Sequence, residues 1–178
     1  MNKLQKIVSK IIKKKFTKQH LLTYLFWECT LRCNLSCLHC GSDCLTNSSI
    51  KDMPFDDFAR ALSTIPHNIR SKITVILTGG EPLVRKDIAE CGKEIRARGF
   101  RWGMVSNALL YDKKTHINLL NSGLGSLTFS LDGLEQSHNW LRNNSNSFEK
   151  VDKAIDLVVQ TPRRSEEHTS ELQSRITI

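Results

Sequence analysis

Residues 72–77 read Lys-Ile-Thr-Val-Ile-Leu, a short, β-branched and almost wholly apolar run that passes at once into Thr78-Gly79-Gly80-Glu81-Pro82. A strand with one wet face alternates apolar and polar side chains, so a run without alternation asks for cover on both faces, as strands of a parallel sheet have. Parallel strands need crossover helices, and the chain supplies the patterns for them. A first strand is predicted at residues 22–27. The helix after it starts near Pro54 and carries Phe55, Phe58, Leu62 and Ile65 at spacings of three and four. Beyond the 73–77 strand, a helix over about 86–98 stops at Gly99, and a third strand runs over 102–105. A helix after Asp112 ends at Gly123, and a fourth strand follows at 126–130. The last helix, from about Ser147, places Val151, Ala154, Ile155 and Val158 on one face. The result is four βα units of a parallel α/β domain.

The chemistry-bearing residues all follow strand ends: the cysteine loop after the first, Gly79 to Glu81 after the second, Asn107 after the third and Asp132 after the fourth. In barrel-like α/β folds that rim is where active sites are built. The loop itself reads Cys33-Asn-Leu-Ser-Cys37-Leu-His-Cys40. Three thiolates in one loop can hold three corners of an iron-sulfur cube and leave the fourth iron open, whereas 4Fe-4S clusters that only carry electrons take four cysteines. The alternative is a structural zinc site made by Cys33, Cys37, Cys40 and Cys44, in a binding module with a basic helical arm. Zinc sites usually join two separated C-x2-C pairs, and here only Cys37 and Cys40 have that spacing. Cys29 and Cys91 read as small buried hydrophobes, and Trp140 as a packing anchor.

The C-x3-C-x2-C pattern with His39 before its last cysteine, followed by Gly79-Gly80-Glu81-Pro82 after a buried strand, resembles the radical S-adenosylmethionine (radical SAM) superfamily. The stretches 27–44, 79–87 and 130–142 are similar to one group within it, the enzymes of the rSAM/lipoprotein system, relatives of SPASM-type peptide and protein maturases. The resemblance covers residues 20 to 162 or so. It departs at Ser106-Asn107-Ala108, where relatives more often carry glycine in the third place.

The resemblance implies a partial parallel (βα) barrel of the radical SAM type, with about four of six βα units present. It implies a 4Fe-4S cluster on Cys33, Cys37 and Cys40 that reductively cleaves SAM to a 5′-deoxyadenosyl radical, with a peptide or protein as substrate and a flavodoxin or ferredoxin as electron donor. Glu81 would accept hydrogen bonds from the methionine ammonium, with Gly79 and Gly80 allowing close backbone approach; the alternative for the glycines is a tight turn. Ser130 and Arg142 resemble residues that bind the SAM carboxylate, Asn107 and Asp132 would hold ribose hydroxyls, and His39 would sit near the adenine. Capping and turn roles compete for these polar residues, and a satisfied loop histidine for His39. No catalytic acid or base stands out.

The net charge of +8 would suit a nucleic-acid binder if it were spread over the chain. Instead, residues 1–20 hold seven lysines and no acid, leaving the remainder close to neutral, so no nucleic-acid partner is expected. Leu4, Ile7, Ile11 and Ile12 recur there at helical spacing and predict a basic amphipathic helix. A solvated helix on the outside of the domain is the favoured reading, with weak contact to an anionic membrane surface as the functional one. No stretch has the length of a membrane span or the look of a secretory signal, and six cysteines suit a reducing compartment, so a cytoplasmic location is expected. Residues 164–178 resemble a translated sequencing adapter and are set aside from the fold. This leaves residues 21–163 as a truncated radical SAM core, with an inactive fragment as a further reading.

Overall fold

The computed structural model describes residues 5–10, 21–44 and 48–161. The adapter-like segment and most of the lysine-rich segment lie outside these; residues 5–10 are helical and exposed. Strands β1 (Tyr24–Thr30), β2 (Thr74–Gly79), β3 (Arg101–Ser106) and β4 (Ser126–Phe129) form one sheet in the order β1-β2-β3-β4. All three pairings are parallel. The helices are α1 (Phe55–Ser63), α2 (His67–Arg70), α3 (Ile88–Ala97), α4 (Lys113–Asn121), α5 (Glu135–Arg142) and α6 (Ser147–Gln160), with a 3-10 turn at Pro82–Val84. This is the expected α/β architecture, an open parallel sheet of four βα units consistent with a partial barrel. Among the described residues no helix is long and apolar enough to cross a membrane.

One face of the sheet makes the core. Val75, Leu77, Trp102, Met104, Leu127 and Phe129 pack under Leu62, Ile88, Ile95, Leu119, Val151 and Ala154 from the helices. Trp27 stacks on Phe58 with ring centroids 4.3 Å apart, which ties β1 to α1. Cys29 and Cys91 are buried in this core as expected, their thiols pushed up to about 12 first of all by burial. The other face is open at the β1 edge, where Tyr24 is 43% and Phe26 65% exposed. With β3 alone beside it, β4 forms the other edge of the sheet.

The expected helix ends hold: Asp112 caps α4 by accepting the Thr115 N–H at 2.7 Å, and Gly99 and Gly123 both take positive φ. Helix α5 was not expected. Its sequence, Glu-Gln-Ser-His-Asn-Trp-Leu-Arg, has no apolar stripe, and only His138 is buried. That histidine holds the helix in place: its Nδ1 accepts the Asp132 N–H at 3.2 Å, and its Nε2 lies 3.0 Å from Ser147 Oγ. Trp140, expected as a packing anchor, is 67% exposed on α5, because the helix turns its polar ring residue His138 inward instead.

Candidate active site

The cysteine loop leaves β1 through a register shift between Glu28 and Thr30, a bulge that bends the strand where the loop begins. Two backbone bonds then lay the loop across the end of β2: Gly80 N–H to Thr30 O at 2.8 Å and Glu81 N–H to Arg32 O at 2.9 Å. A Cβ on Gly79 would stand 2.2 Å from Thr30 O, and one on Gly80 2.1 Å from Arg32 O. The close approach seen at these glycines is that of the cysteine loop. The loop is braced from outside by Asp52, which accepts Thr30 Oγ1 at 2.6 Å and pairs with Arg32. Arg85, 5% exposed, reaches Cys29 O at 2.7 Å and Met53 O at 3.0 Å while pairing with Asp87.

Glu81 is 1% exposed, so its carboxylate does not face an open site. It accepts Ser106 Oγ at 2.9 Å, the Asn107 N–H at 2.7 Å and the Leu83 N–H at 3.1 Å. Burial pushes its pKa up, and the three hydrogen bonds pull back without cancelling that push. Its side chain thus staples the end of β2 to the loop after β3. In that β3 loop Ala108, the departure from glycine, has φ of +65° and is fully buried, so the left-handed backbone that suits glycine is imposed on an alanine.

Asn107 is 7% exposed and turned toward the cysteine loop, its Nδ2 donating to Asn34 Oδ1 at 2.8 Å and lying 3.8 Å from Cys33 Sγ. Its Oδ1 accepts the Leu109 N–H at 3.0 Å, so the side chain is engaged by protein partners. Each of the three loop sulfurs meets a nitrogen donor. Cys33, buried and with its pKa raised first by burial, also faces the Leu35 N–H at 3.4 Å. Cys37 faces Arg142 Nη1 at 3.7 Å, and Cys40, exposed, faces the Cys44 N–H at 3.4 Å. Such N–H bonds to sulfur favour thiolates and are the usual surroundings of sulfur-ligated metal. The donor set fits an iron-sulfur cluster. Among the described residues no group of three or more His, Cys, Asp or Glu gathers as a single metal ion needs. Cys44 is buried, and burial pushes its thiol up to about 11.

Asp132, expected at a ribose, is the counter-ion of Arg142, accepting Nε on Oδ2 at 2.6 Å and Nη2 on Oδ1 at 3.0 Å, with His138 Nδ1 3.3 Å from Oδ2. His39 is exposed, with Nε2 3.7 Å from Asp132. Ser130 is half-buried, its N–H bonded to Ser106 O at 3.0 Å. The expected residues Cys33, Cys37, Cys40, His39, Asn107, Asp132 and Arg142 thus come together around one loop. Asn34, Asp52, Arg85, Ser106 and His138 complete it, and no local pattern in the sequence announces them.

A sheet rim with three donor-bonded cysteines and a glutamate staple is where the comparison with known proteins bears. The chain belongs to the radical SAM superfamily, whose family model matches residues 27–163. Members use a 4Fe-4S cluster and SAM. It is similar to Fe-coproporphyrin III synthase of Methanosarcina barkeri (strain Fusaro / DSM 804), 30% identical over 69% of this chain and 30% of that protein. It is also similar to PqqA peptide cyclase of Bradyrhizobium diazoefficiens, 28% identical over 61% of this chain and 28% of that protein. Among solved structures, Streptococcus suis SuiB bound to precursor peptide SuiA matches with a TM-score of 0.60 and 19% identity, over 86% of this chain and 35% of that one. The chain spans about a third of the length of the curated relatives it matches.

Proposed function

We propose that this chain is the cluster- and SAM-binding part of a radical SAM enzyme that modifies a peptide or protein. The observation that carries the reading is that Cys33, Cys37 and Cys40 lie on one loop at the sheet rim, and each sulfur meets an N–H donor. These three residues would hold the cluster and leave it open to SAM. When bound, the reduced cluster would give one electron to SAM, whose sulfonium carbon–sulfur bond would break to leave methionine and a 5′-deoxyadenosyl radical able to take hydrogen from the substrate. The chain's own residues hold that arrangement still. Gly79 and Gly80 seat the cysteine loop, Glu81 locks the loop after β3 beneath it, and Asn107 carries that lock to Cys33. Ser130 and Arg142 would bind the SAM carboxylate and His39 would sit near the adenine, with Asp132 pairing Arg142.

The peptide class is supported by the names of PqqA peptide cyclase and of SuiB with its precursor peptide. The porphyrin-related relative makes a small molecule the competing outcome. A flavodoxin or ferredoxin is the proposed electron donor, the cytoplasm the proposed location, and weak membrane-surface contact the proposed use of residues 1–20. The test is anaerobic reconstitution with iron and sulfide, then EPR of the dithionite-reduced protein with and without SAM. The expected signal shifts on adding SAM, is lost in a Cys33, Cys37, Cys40 triple alanine variant and survives Cys44→Ala. One tightly held zinc that depends on Cys44, with no cluster, overturns the reading.

A further inference from the structure

The three sulfurs are not equivalent. Cys33 and Cys40 meet neutral donors, an amide side chain and backbone N–H groups. Among the described residues Cys37 alone meets a cation, Arg142, delivered from a helix 105 residues further along the chain. The contact is built from several sides. Asp132 takes Nε and Nη2 of the guanidinium, which leaves Nη1 aimed at the sulfur. Asp132 is itself fixed by His138, fully buried and lodged against Ser147. The end of α5 is laced to the loop by the Leu38 N–H to Leu141 O at 2.9 Å and by Asn143 Nδ2 to Ser36 Oγ at 3.2 Å. The Arg142 side chain is only 14% exposed, so solvent screens its charge incompletely.

We propose that Arg142 is a positioning residue that sets the reduction potential of the cluster through its N–H contact with the Cys37 sulfur. The proposal rests on the reading that Cys33, Cys37 and Cys40 hold a 4Fe-4S cluster. One-electron reduction adds negative charge to the cube and its thiolates. A cation beside one sulfur stabilises that added charge, and hydrogen bonds and net charge at the sulfurs are known levers on such potentials. Asp132 offsets part of the effect, because the ion pair is neutral as a whole. The sulfur nevertheless lies on the guanidinium side of the pair, so the residual field favours the reduced state.

The experiment is a dithionite titration of the reconstituted 178-residue chain, without SAM, following the reduced-cluster EPR signal against solution potential. Arg142→Met keeps the stem and removes the charge. At the wild-type midpoint its reduced-to-oxidised ratio falls about tenfold, equivalent to about 59 mV for one electron. Arg142→Lys, which keeps the charge on a shorter reach, recovers at least half of that shift. Asp132→Asn removes the offsetting charge and moves the midpoint the other way, so the proposal stays falsifiable if Arg142→Met fails to assemble. An Arg142→Met protein with wild-type iron content and midpoint but weaker SAM binding overturns the proposal and assigns the residue to SAM alone. So does an Asp132→Asn midpoint that is unchanged or lower. A wild-type chain that takes up no cluster overturns the underlying reading instead, and the proposal with it.

Discussion

Replacing Glu81 by glutamine tests whether its buried carboxylate staples the site. The Leu83 N–H and the Asn107 N–H bond opposite oxygens of the carboxylate, whereas the Ser106 hydroxyl can rotate to donate or accept. A glutamine offers one oxygen, so whichever way its amide is turned, one backbone N–H faces an NH2 group and loses its acceptor. An unsatisfied buried donor costs about 1–3 kcal/mol, and Glu81→Gln is expected to destabilise the fold by about 2 kcal/mol near neutral pH. Urea unfolding reads this as a lower midpoint at unchanged slope. The pH dependence carries a second, signed test. Burial raises the carboxyl above its ordinary 4.5, so the folded state holds this proton at pH values where the unfolded chain has released it. Stability is then lost as pH rises from about the ordinary value through the raised one, because the native state binds more protons. Glutamine does not titrate, so the advantage of wild type over Glu81→Gln shrinks as pH rises through that window. An advantage that grows instead means the three hydrogen bonds outweigh burial, and a Glu81→Gln protein as stable as wild type refutes the staple.

Gly80→Ala places a Cβ 2.1 Å from Arg32 O, a backbone atom that cannot swing away, so it costs at least about 2 kcal/mol in urea unfolding and lowers iron uptake on reconstitution. Ala108→Gly removes a fully buried methyl but relieves φ of +65°, and the opposed effects leave stability within about 1 kcal/mol of wild type. Ala108→Val, β-branched at the same backbone, loses more than about 2 kcal/mol; equal midpoints for the two variants contradict the strain argument. Phe26→Thr removes a ring that is 65% exposed on the bare face of β1, so stability stays within about 0.5 kcal/mol while the monomer fraction in size-exclusion chromatography rises. A stability loss well above that means the ring is covered in solution.

The four strands and their main helices were legible because burial on a parallel sheet leaves a periodic imprint: the apolar run at residues 73–77, Phe58 and Leu62 on α1, and Val151 and Ala154 on α6. The cysteine spacing and the glycine pair were legible as well, because a metal loop and a tight crossing of two backbones each demand fixed residue types at fixed offsets. Helix α5 was not legible, since its stability comes from one buried histidine and from the cysteine loop it touches rather than from an apolar stripe. The protein partners of Glu81, Asn107 and Asp132 were not legible for a related reason. A carboxylate or an amide in a sequence carries no sign of which neighbours its lone pairs meet, and the partners here include Cys33, 74 residues from Asn107. The sequence by itself determined a parallel α/β frame and a three-cysteine loop at its rim, because covalent spacing and periodic burial are local properties. Only the tertiary structure decided which polar groups close on one another around that loop, because hydrogen bonds between distant segments depend on where the packed strands and helices set their ends.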